Sequence, residues 1–200
     1  MLDFVHDTQT THRHLVTALS QPGVIVDLAA AAERIDPVPP FNPALLLIAH
    51  TLLDGETSFA VVSDDQAQRV ACVNAIAQRT YAQATDVAQA DFIVVVNTAT
   101  DPAATLRAAR RGTLEDPHLS ATVLLEVEQI AAAHDDELTL SGPGIDGATS
   151  AAIAPAPTWI EARNEACAEY PFGVDLFAVD RSARVLGLPR TTRIVAKDGD

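Results

Sequence analysis

A chain of 200 residues with one lysine, one tryptophan and two cysteines rules out several chemistries at the outset. The lysine, Lys197, falls in the polar end segment Lys197-Asp198-Gly199-Asp200, expected to be a loose tail over 197–200. A pyridoxal-phosphate enzyme anchors its cofactor through a lysine Schiff base, so that chemistry is not expected, and no cofactor is. Cys72 and Cys167 belong to no Cys-x-x-Cys pair. They are read as small apolar side chains in a reducing compartment, not as metal ligands or redox partners. The longest apolar run, Ala44 to Ala49, is far too short to span a bilayer, and Met1-Leu2-Asp3 lacks the basic start of a secretory signal. Cations are scarce as well: 13 Lys and Arg face 27 Asp and Glu, giving a formal charge of −14. The twelve arginines are scattered, so neither nucleic acid nor an anionic membrane is an expected partner. The expected compartment is cytoplasmic. Aromatics make up only 4% against 48% hydrophobic residues, so the core must be built from Ala, Val, Leu and Ile. The length suits one domain, 1–200, with a sizeable core.

What is present reads as strands alternating with helices. A first helix is expected over Thr8 to Leu19, then an extended piece from Val24 to Leu28. Asn42-Pro43 has the form of an N-cap followed by proline at the first helical position, opening a buried helix to Leu53. Ser58 to Val62 reads as a strand and Asp65 to Gln78 as a helix. Asp91 to Asn97 is apolar on both faces, the pattern of a central strand covered on each side. Asp101-Pro102 opens a helix through Arg110 and Arg111, closed by Gly112. Ala121 to Val127 and Leu138 to Ser141 read as strands, and Ile153 to Pro157 as a proline-interrupted link. Thr158-Trp159-Ile160-Glu161 has the form of a capping box for a helix to Glu169. Val174 to Val179 turns back into Arg184 to Leu188, and Thr191 to Val195 is a last edge strand. The expected fold is a three-layer α/β/α domain with a mixed sheet.

Candidate sites are few. Leu138-Thr139-Leu140-Ser141-Gly142-Pro143-Gly144-Ile145-Asp146-Gly147 runs from a strand into a glycine-rich turn. Gly142 and Gly144 could aim backbone N–H groups at a phosphate or simply make a tight exit from a sheet. No Lys-Ser/Thr follows them, so the phosphate-loop signature is incomplete, and the structural reading is preferred. On a helix, His12 and His14 point apart and cannot share a metal. His50 lies on the buried helix as a satisfied core histidine, and His118 and His134 fall in loops. Glu126 and Glu128 share a strand face, a spacing that can serve acid–base chemistry but also describes an exposed edge, the reading preferred here. Asp175, inside an apolar run, must be paired or hydrogen-bonded. Arg190, Thr191, Thr192 and Arg193 form the densest oxyanion-friendly set and are candidates for ligand or partner contact. Arg190 is the one placed to pair with Asp175, and Arg193 the one to face outward.

Several blocks in order then point to a family. Thr8-Gln9 through His12-Arg13, Leu15-x-x-Ala18-Leu19-Ser20-x-Pro22-Gly23, Ala90-Asp91-Phe92, Gly112-Thr113-Leu114-Glu115-Asp116-Pro117-His118-x-Ser120-Ala121-Thr122, the Gly142-Pro143-Gly144-Ile145 block, Trp159, Tyr170-Pro171-x-Gly173-Val174-Asp175 and Leu188-Pro189-Arg190-Thr191-Thr192 span nearly the whole chain. Together they resemble the PhnH family, the H subunit of the bacterial carbon–phosphorus lyase core. His12 and Tyr170 stand where that family usually has phenylalanine. The resemblance implies a fold similar to the large domain of pyridoxal-phosphate-dependent transferases, without the cofactor. It implies the other core subunits as partners and a homodimer when isolated; Arg13 and Asp175 are read as structural residues, Asp175 in preference to a ligand-binding role. It also implies a part in converting ATP and an alkylphosphonate to ribose 1-alkylphosphonate 5-triphosphate, with no agreed catalytic residues in this subunit. The competing readings are a stand-alone hydrolase using Glu126 and Glu128, and a small-molecule binding module using the glycine turn.

Overall fold

The computed structural model describes residues 2–96, 99, 101–132, 137–155 and 157–196. Asn97, His134 and the tail 197–200 lie outside the described residues. In order, the elements are α1 (Phe4–Ser20), β1 (Ile25–Asp27), α2 (Ala29–Ala32), α3 (Pro43–Leu52), β2 (Ser58–Val62), α4 (Gln66–Thr80), β3 (Gln83–Ala84), β4 (Phe92–Val95) and α5 (Pro102–Ala108). There follow β5 (Thr122–Glu126), β6 (Gln129–Ala131), β7 (Glu137–Ser141), β8 (Thr149–Ala154), α6 (Ile160–Ala166), β9 (Asp175–Val179), β10 (Arg184–Leu188) and β11 (Arg193–Ala196).

A seven-stranded sheet in the order β1-β10-β9-β5-β4-β2-β3 organises the molecule. β3, β2, β4, β5 and β9 run parallel, and β10 and β1 are antiparallel additions at one side. The expected mixed α/β sheet is present, and its interior strands are apolar on both faces. Val94, Leu124, Phe177 and Val179 join one core with α1, α3 and α4. Ile93, Val95, Val123, Leu125, Leu176 and Ala178 join a second core on the opposite face. That alternation is the pleat dividing each strand between two covered faces.

The second face departs from the expected plain helical layer. Besides α5 and α6 it carries a four-stranded antiparallel sheet, β11-β7-β8-β6. The segment expected as a link from Ile153 to Pro157 is in part strand β8, and Leu138 to Ser141 belongs to this small sheet, not to the main one. Ile130, Leu138, Leu140, Ile153 and Ile194 point from it into the second core.

Local chemistry explains most boundaries. The Asn42 side chain accepts from Ala44 N at 2.9 Å, so the expected cap forms, and Asp65 caps α4 by accepting from Ala67 N and Gln68 N. Helix α1 starts four residues earlier than the threonines suggest, because Asp3 caps it by accepting from Val5 N and His6 N. Helix α5 is shorter than expected. It ends at Ala108, Arg110 turns away to pair with Asp91, and Gly112 serves the following loop, where an added Cβ would meet Pro117 O at 2.8 Å. The expected capping box is absent: α6 begins after Trp159, with no side-chain cap, and ends at Ala166.

One contact ties the two ends of the chain together. Gly187, in β10, faces the backbone of α1, where a Cβ would lie 2.4 Å from Ala18 O. The helix therefore rests directly on the sheet. Cys72 is buried in α4, its thiol pushed up to about 11 by burial and by the nearby Glu126 carboxylate. Cys167 lies at the end of α6, half-buried, and the two belong to opposite faces of the main sheet. Among the described residues, no helix is long and apolar enough to cross a membrane.

Buried Asp7 shows how the N-terminal helix is anchored. Arg34 donates to it through Nε at 3.0 Å and Nη2 at 2.6 Å, and Asp3 N donates at 2.8 Å. The Arg34 hydrogen bond, followed by that of Asp3, holds the Asp7 carboxyl below its ordinary 3.8. Asp91 is also held low. Burial, which alone would raise it, is outweighed by hydrogen bonds from the Ser58 hydroxyl and N–H and by Arg110. Both groups are depressed in the fold, so the stability they contribute is complete well above 3.8 and is lost as pH falls through and below that value. Thermal melting between pH 7 and 3 should show a steep acid-side loss, and Asp7→Asn and Asp91→Asn should each flatten it. A melting temperature independent of pH over that range would contradict the assignment.

Candidate functional site

The register of the terminal hairpin brings Arg190 to Asp175. Leu188 pairs with Leu176, so the residues just beyond β10 lie beside the start of β9. Asp175 Oδ1 accepts from Arg190 N at 2.8 Å and Nε at 3.3 Å, and Oδ2 accepts from Nη2 at 2.5 Å. The remaining guanidinium nitrogen, Nη1, donates to Pro117 O at 2.9 Å. Gly173 N donates to Arg111 O at 3.0 Å, so the loops preceding β5 and β9 are fastened together. Three of the blocks that carry the family resemblance meet here.

The turn after Arg190 is held from beneath by a residue that sequence reasoning missed. Arg163 of α6 is 1% exposed and donates to Pro189 O and Thr192 O, both at 2.5 Å. Burial lowers its pKa, and the carbonyls, not a carboxylate, are its hydrogen-bonding partners. Thr192 is buried, whereas Thr191 and Arg193 are exposed. The 190–193 set thus divides: Arg190 and Thr192 face the protein, Thr191 and Arg193 face water. Arg13 is exposed on α1, and no ion pair is formed by it among the described residues.

The glycine turn is the loop of the β7–β8 hairpin, with Leu140 paired to Thr149. Gly144 has φ +85° and packs so closely on the end of α1 that a Cβ would come within 2.2 Å of Ser20 O. Gly142 lies against Thr191 O in the same way. The turn therefore joins α1 to the 190–193 segment, bringing the Ser20-x-Pro22-Gly23 block against the Gly142-Pro143-Gly144 block.

The carboxyl ends of the parallel strands form the second locality. Open α/β sheets bind ligands at this edge. Glu126, expected on an exposed strand face, is instead 9% exposed at the end of β5, and only Glu128 is exposed. Asn42 Nδ2 donates to Glu126 Oε1 at 3.3 Å and to Asp180 O at 3.2 Å. The correction has a physical cause: the start of α3 packs over this strand end and supplies a polar partner. Asp180, fully buried, accepts from Arg184 Nε at 2.8 Å, Ser182 N at 2.8 Å and Ile130 N at 3.1 Å. It both turns β9 into β10 and docks the small sheet. A groove of about 510 Å³ opens beside Glu126, walled by Pro40, Phe41, Asp65 and Arg181.

His12 and His14 do not converge, and no group of three or more His, Cys, Asp or Glu among the described residues could hold a metal ion. His50 differs from the expectation of a satisfied core histidine: it is half-buried, and its Nδ1 has no hydrogen-bond partner among the described residues.

Comparison with known proteins places these features in a lineage. The chain is 34% identical over 195 residues to HtxG of Stutzerimonas stutzeri, described as a putative C-P lyase subunit protein, covering 94% of this chain and 86% of that one. Residues 1–195 match the family model for bacterial phosphonate metabolism protein (PhnH). The chain belongs to the PhnH family of bacterial phosphonate metabolism proteins.

Proposed function

We propose that this protein is a cofactor-free subunit of a carbon–phosphorus lyase core complex, required for converting ATP and an alkylphosphonate to ribose 1-alkylphosphonate 5-triphosphate. The observation that carries this reading is the fate of Arg190. In the best oxyanion-binding segment of the chain, its guanidinium is committed to Asp175 and the Pro117 carbonyl. The family blocks around it build a framework, and the outward Thr191 and Arg193 are left for contact with partners. On a chain of charge −14, an exposed arginine is a local exception that an acidic partner surface can read. Family membership and the description of HtxG as a putative C-P lyase subunit support the assembly role.

The same reading includes a likeness to the large domain of pyridoxal-phosphate-dependent transferases, a cytoplasmic location, and a homodimer of the isolated chain held by apolar contact, not by a disulfide. The test is co-purification with the other core subunits. Wild type should be retained, and Arg193→Glu should reduce retention while leaving the melting temperature within about 2 °C. Sustained turnover of ATP and methylphosphonate by the purified chain alone would refute the subunit role. Added pyridoxal phosphate should give no aldimine absorbance band sensitive to Lys197→Ala.

One observation favours a second reading, a hydrolase: Glu126 is buried at the carboxyl edge beside a groove large enough for a small substrate. Glu126→Gln separates the two, since it should abolish any intrinsic hydrolysis yet leave co-purification unchanged.

A further inference from the structure

We propose that the uncovered end of β2, at the outer edge of the main sheet, docks an extended segment of another polypeptide, which adds as a strand beside Val61 and brings a cation to Asp86. β3 covers only the first half of β2. Gln83 N donates to Thr57 O at 3.0 Å, and Thr85 N donates to Phe59 O at 2.8 Å. Thr57 and Phe59 thus turn their backbone groups toward β3, whereas Val62 O faces β4 and accepts from Val96 N at 3.1 Å. By the two-residue period of a strand, the N–H and C=O of Val61 face the β3 side as well. The chain has left that side by then, because Asp86 O accepts from Gln89 N and Ala90 N in a turn. Neither Val61 group has a hydrogen-bond partner there among the described residues. Val61 is 8% exposed, and backbone groups in so enclosed a residue are ordinarily satisfied. A donor and an acceptor on the same side of one residue are what an added strand satisfies.

The space beside Val61 has the form such a strand requires. A groove of about 560 Å³ lies along this edge, with Ala60 to Asp64 on its floor. Those residues span roughly 13 Å at about 3.3 Å per residue, the length of a four-residue segment. One wall is α4, with Val70 and Val73, and Val70 is 51% exposed. The opposite wall is the turn after β3, with Val87, which packs on the second core. A strand laid between them meets valines with its alternate side chains. Charge selects among occupants. Asp64 and Asp86 line the groove against a single cation, Arg69, among the described residues. The Asp86 carboxylate is exposed and has no hydrogen bond or ion pair among the described residues. Pairing with a second copy would bring these carboxylates together on two chains of charge −14 each, whereas a basic segment relieves them. The fitting occupant has aliphatic residues toward α4 and a lysine or arginine on the Asp86 side.

This inference goes beyond the proposed subunit role, since the groove shares no residue with the 190–193 segment. The test is amide NMR of the full-length, 15N-labelled protein, titrated with the capped pentapeptide valine-threonine-valine-lysine-valine. In the free protein the Val61 amide should exchange with solvent faster than those of Ala60 and Val62, which face β4. The peptide should shift the Val61 amide and slow its exchange saturably, with a Kd below about 1 mM. A copy N-methylated throughout keeps the side chains but donates no backbone hydrogen bond, and should bind at least about tenfold more weakly. A copy with glutamate for lysine should bind about threefold or more weakly, and Asp86→Asn, at an exposed position that folding tolerates, should shrink that preference about twofold or more. A Val61 amide unmoved by about 2 mM peptide would overturn the proposal. So would equal affinity for the N-methylated or the glutamate copy, or an undiminished preference in Asp86→Asn. Val61 exchange already as slow as that of Ala60 and Val62 without peptide would overturn it too, and a slowing that grows with protein concentration would assign the edge to a second copy instead.

Discussion

Arg190→Ala should cost roughly 3 kcal/mol of stability, the lower end of what breaking a largely buried ion pair costs. For a chain of this size that is a drop of about 6–12 °C in melting temperature. The side chains of Arg190 and Asp175 are 19% and 21% exposed, so the carboxylate left behind stays mostly out of water. Its neighbours Val174 and Leu176 are fully buried and offer it nothing polar. The loss also frees Pro117 O, and with it the tie between the loop that precedes β5 and the turn that follows β10. Arg193→Ala removes an exposed side chain of an edge strand and should cost at most about 1 kcal/mol. A cycle of Arg190→Met, Asp175→Asn and the double variant should show a coupling of more than about 1 kcal/mol, since the second change is cheap once the first is made. Equal losses at Arg190 and Arg193 in thermal unfolding would remove the distinction between the two arginines.

Gly187→Ala should be at least as damaging, for a reason of space and not of charge. The added methyl carbon would lie 2.4 Å from Ala18 O, 2.5 Å from Ala18 C and 2.8 Å from Leu19 N, all of them backbone atoms. No rotamer change can relieve such a clash, so α1 must lift off β10 or the strand must bend. Overpacking a dense core costs typically about 1–3 kcal/mol, and a collision with helix backbone belongs at or above that upper end. Wild-type stability in Gly187→Ala, measured by urea unfolding, would mean that the helix does not sit on the sheet as described. Val16→Ala on the exposed side of the same helix serves as the control and should change stability by no more than about 0.5 kcal/mol.

The main sheet was legible because β2, β4, β5, β9 and β10 are short apolar runs bounded by turn residues, and burial on both faces leaves that mark. The small sheet was not. Thr149–Ala154 is rich in alanine and runs into Pro155, so nothing local distinguishes it from a loop, and its pairing with β7 depends on the hairpin between them. The Asp175 pairing was legible because a charge inside an apolar run must find a partner. The same sign stood at Glu126, within Val123-Leu124-Leu125-Glu126-Val127, and was masked by Glu128 two positions on, which makes the pair resemble an exposed face. Arg163 could not be found in this way. A charged residue on a helix ordinarily faces water, and only the arrival of the 189–192 turn, contributed from the far end of the chain, gives this one its carbonyl partners.

The sheet order also dictates when the protein can become itself during synthesis. Strand β1, near the start of the chain, pairs with β10, Ile25 opposite Leu186, and α1 leans on the same strand at Gly187. On the ribosome the N-terminal helix therefore has no sheet to rest on until nearly the whole chain has been made. The parallel strands β2, β4 and β5 can align earlier, but their outer side stays open until β9 arrives. An unpaired edge and a half-covered core are a nascent chain's exposure to misassembly. A truncation that removes β10 therefore takes away the support of β1 and α1 as well.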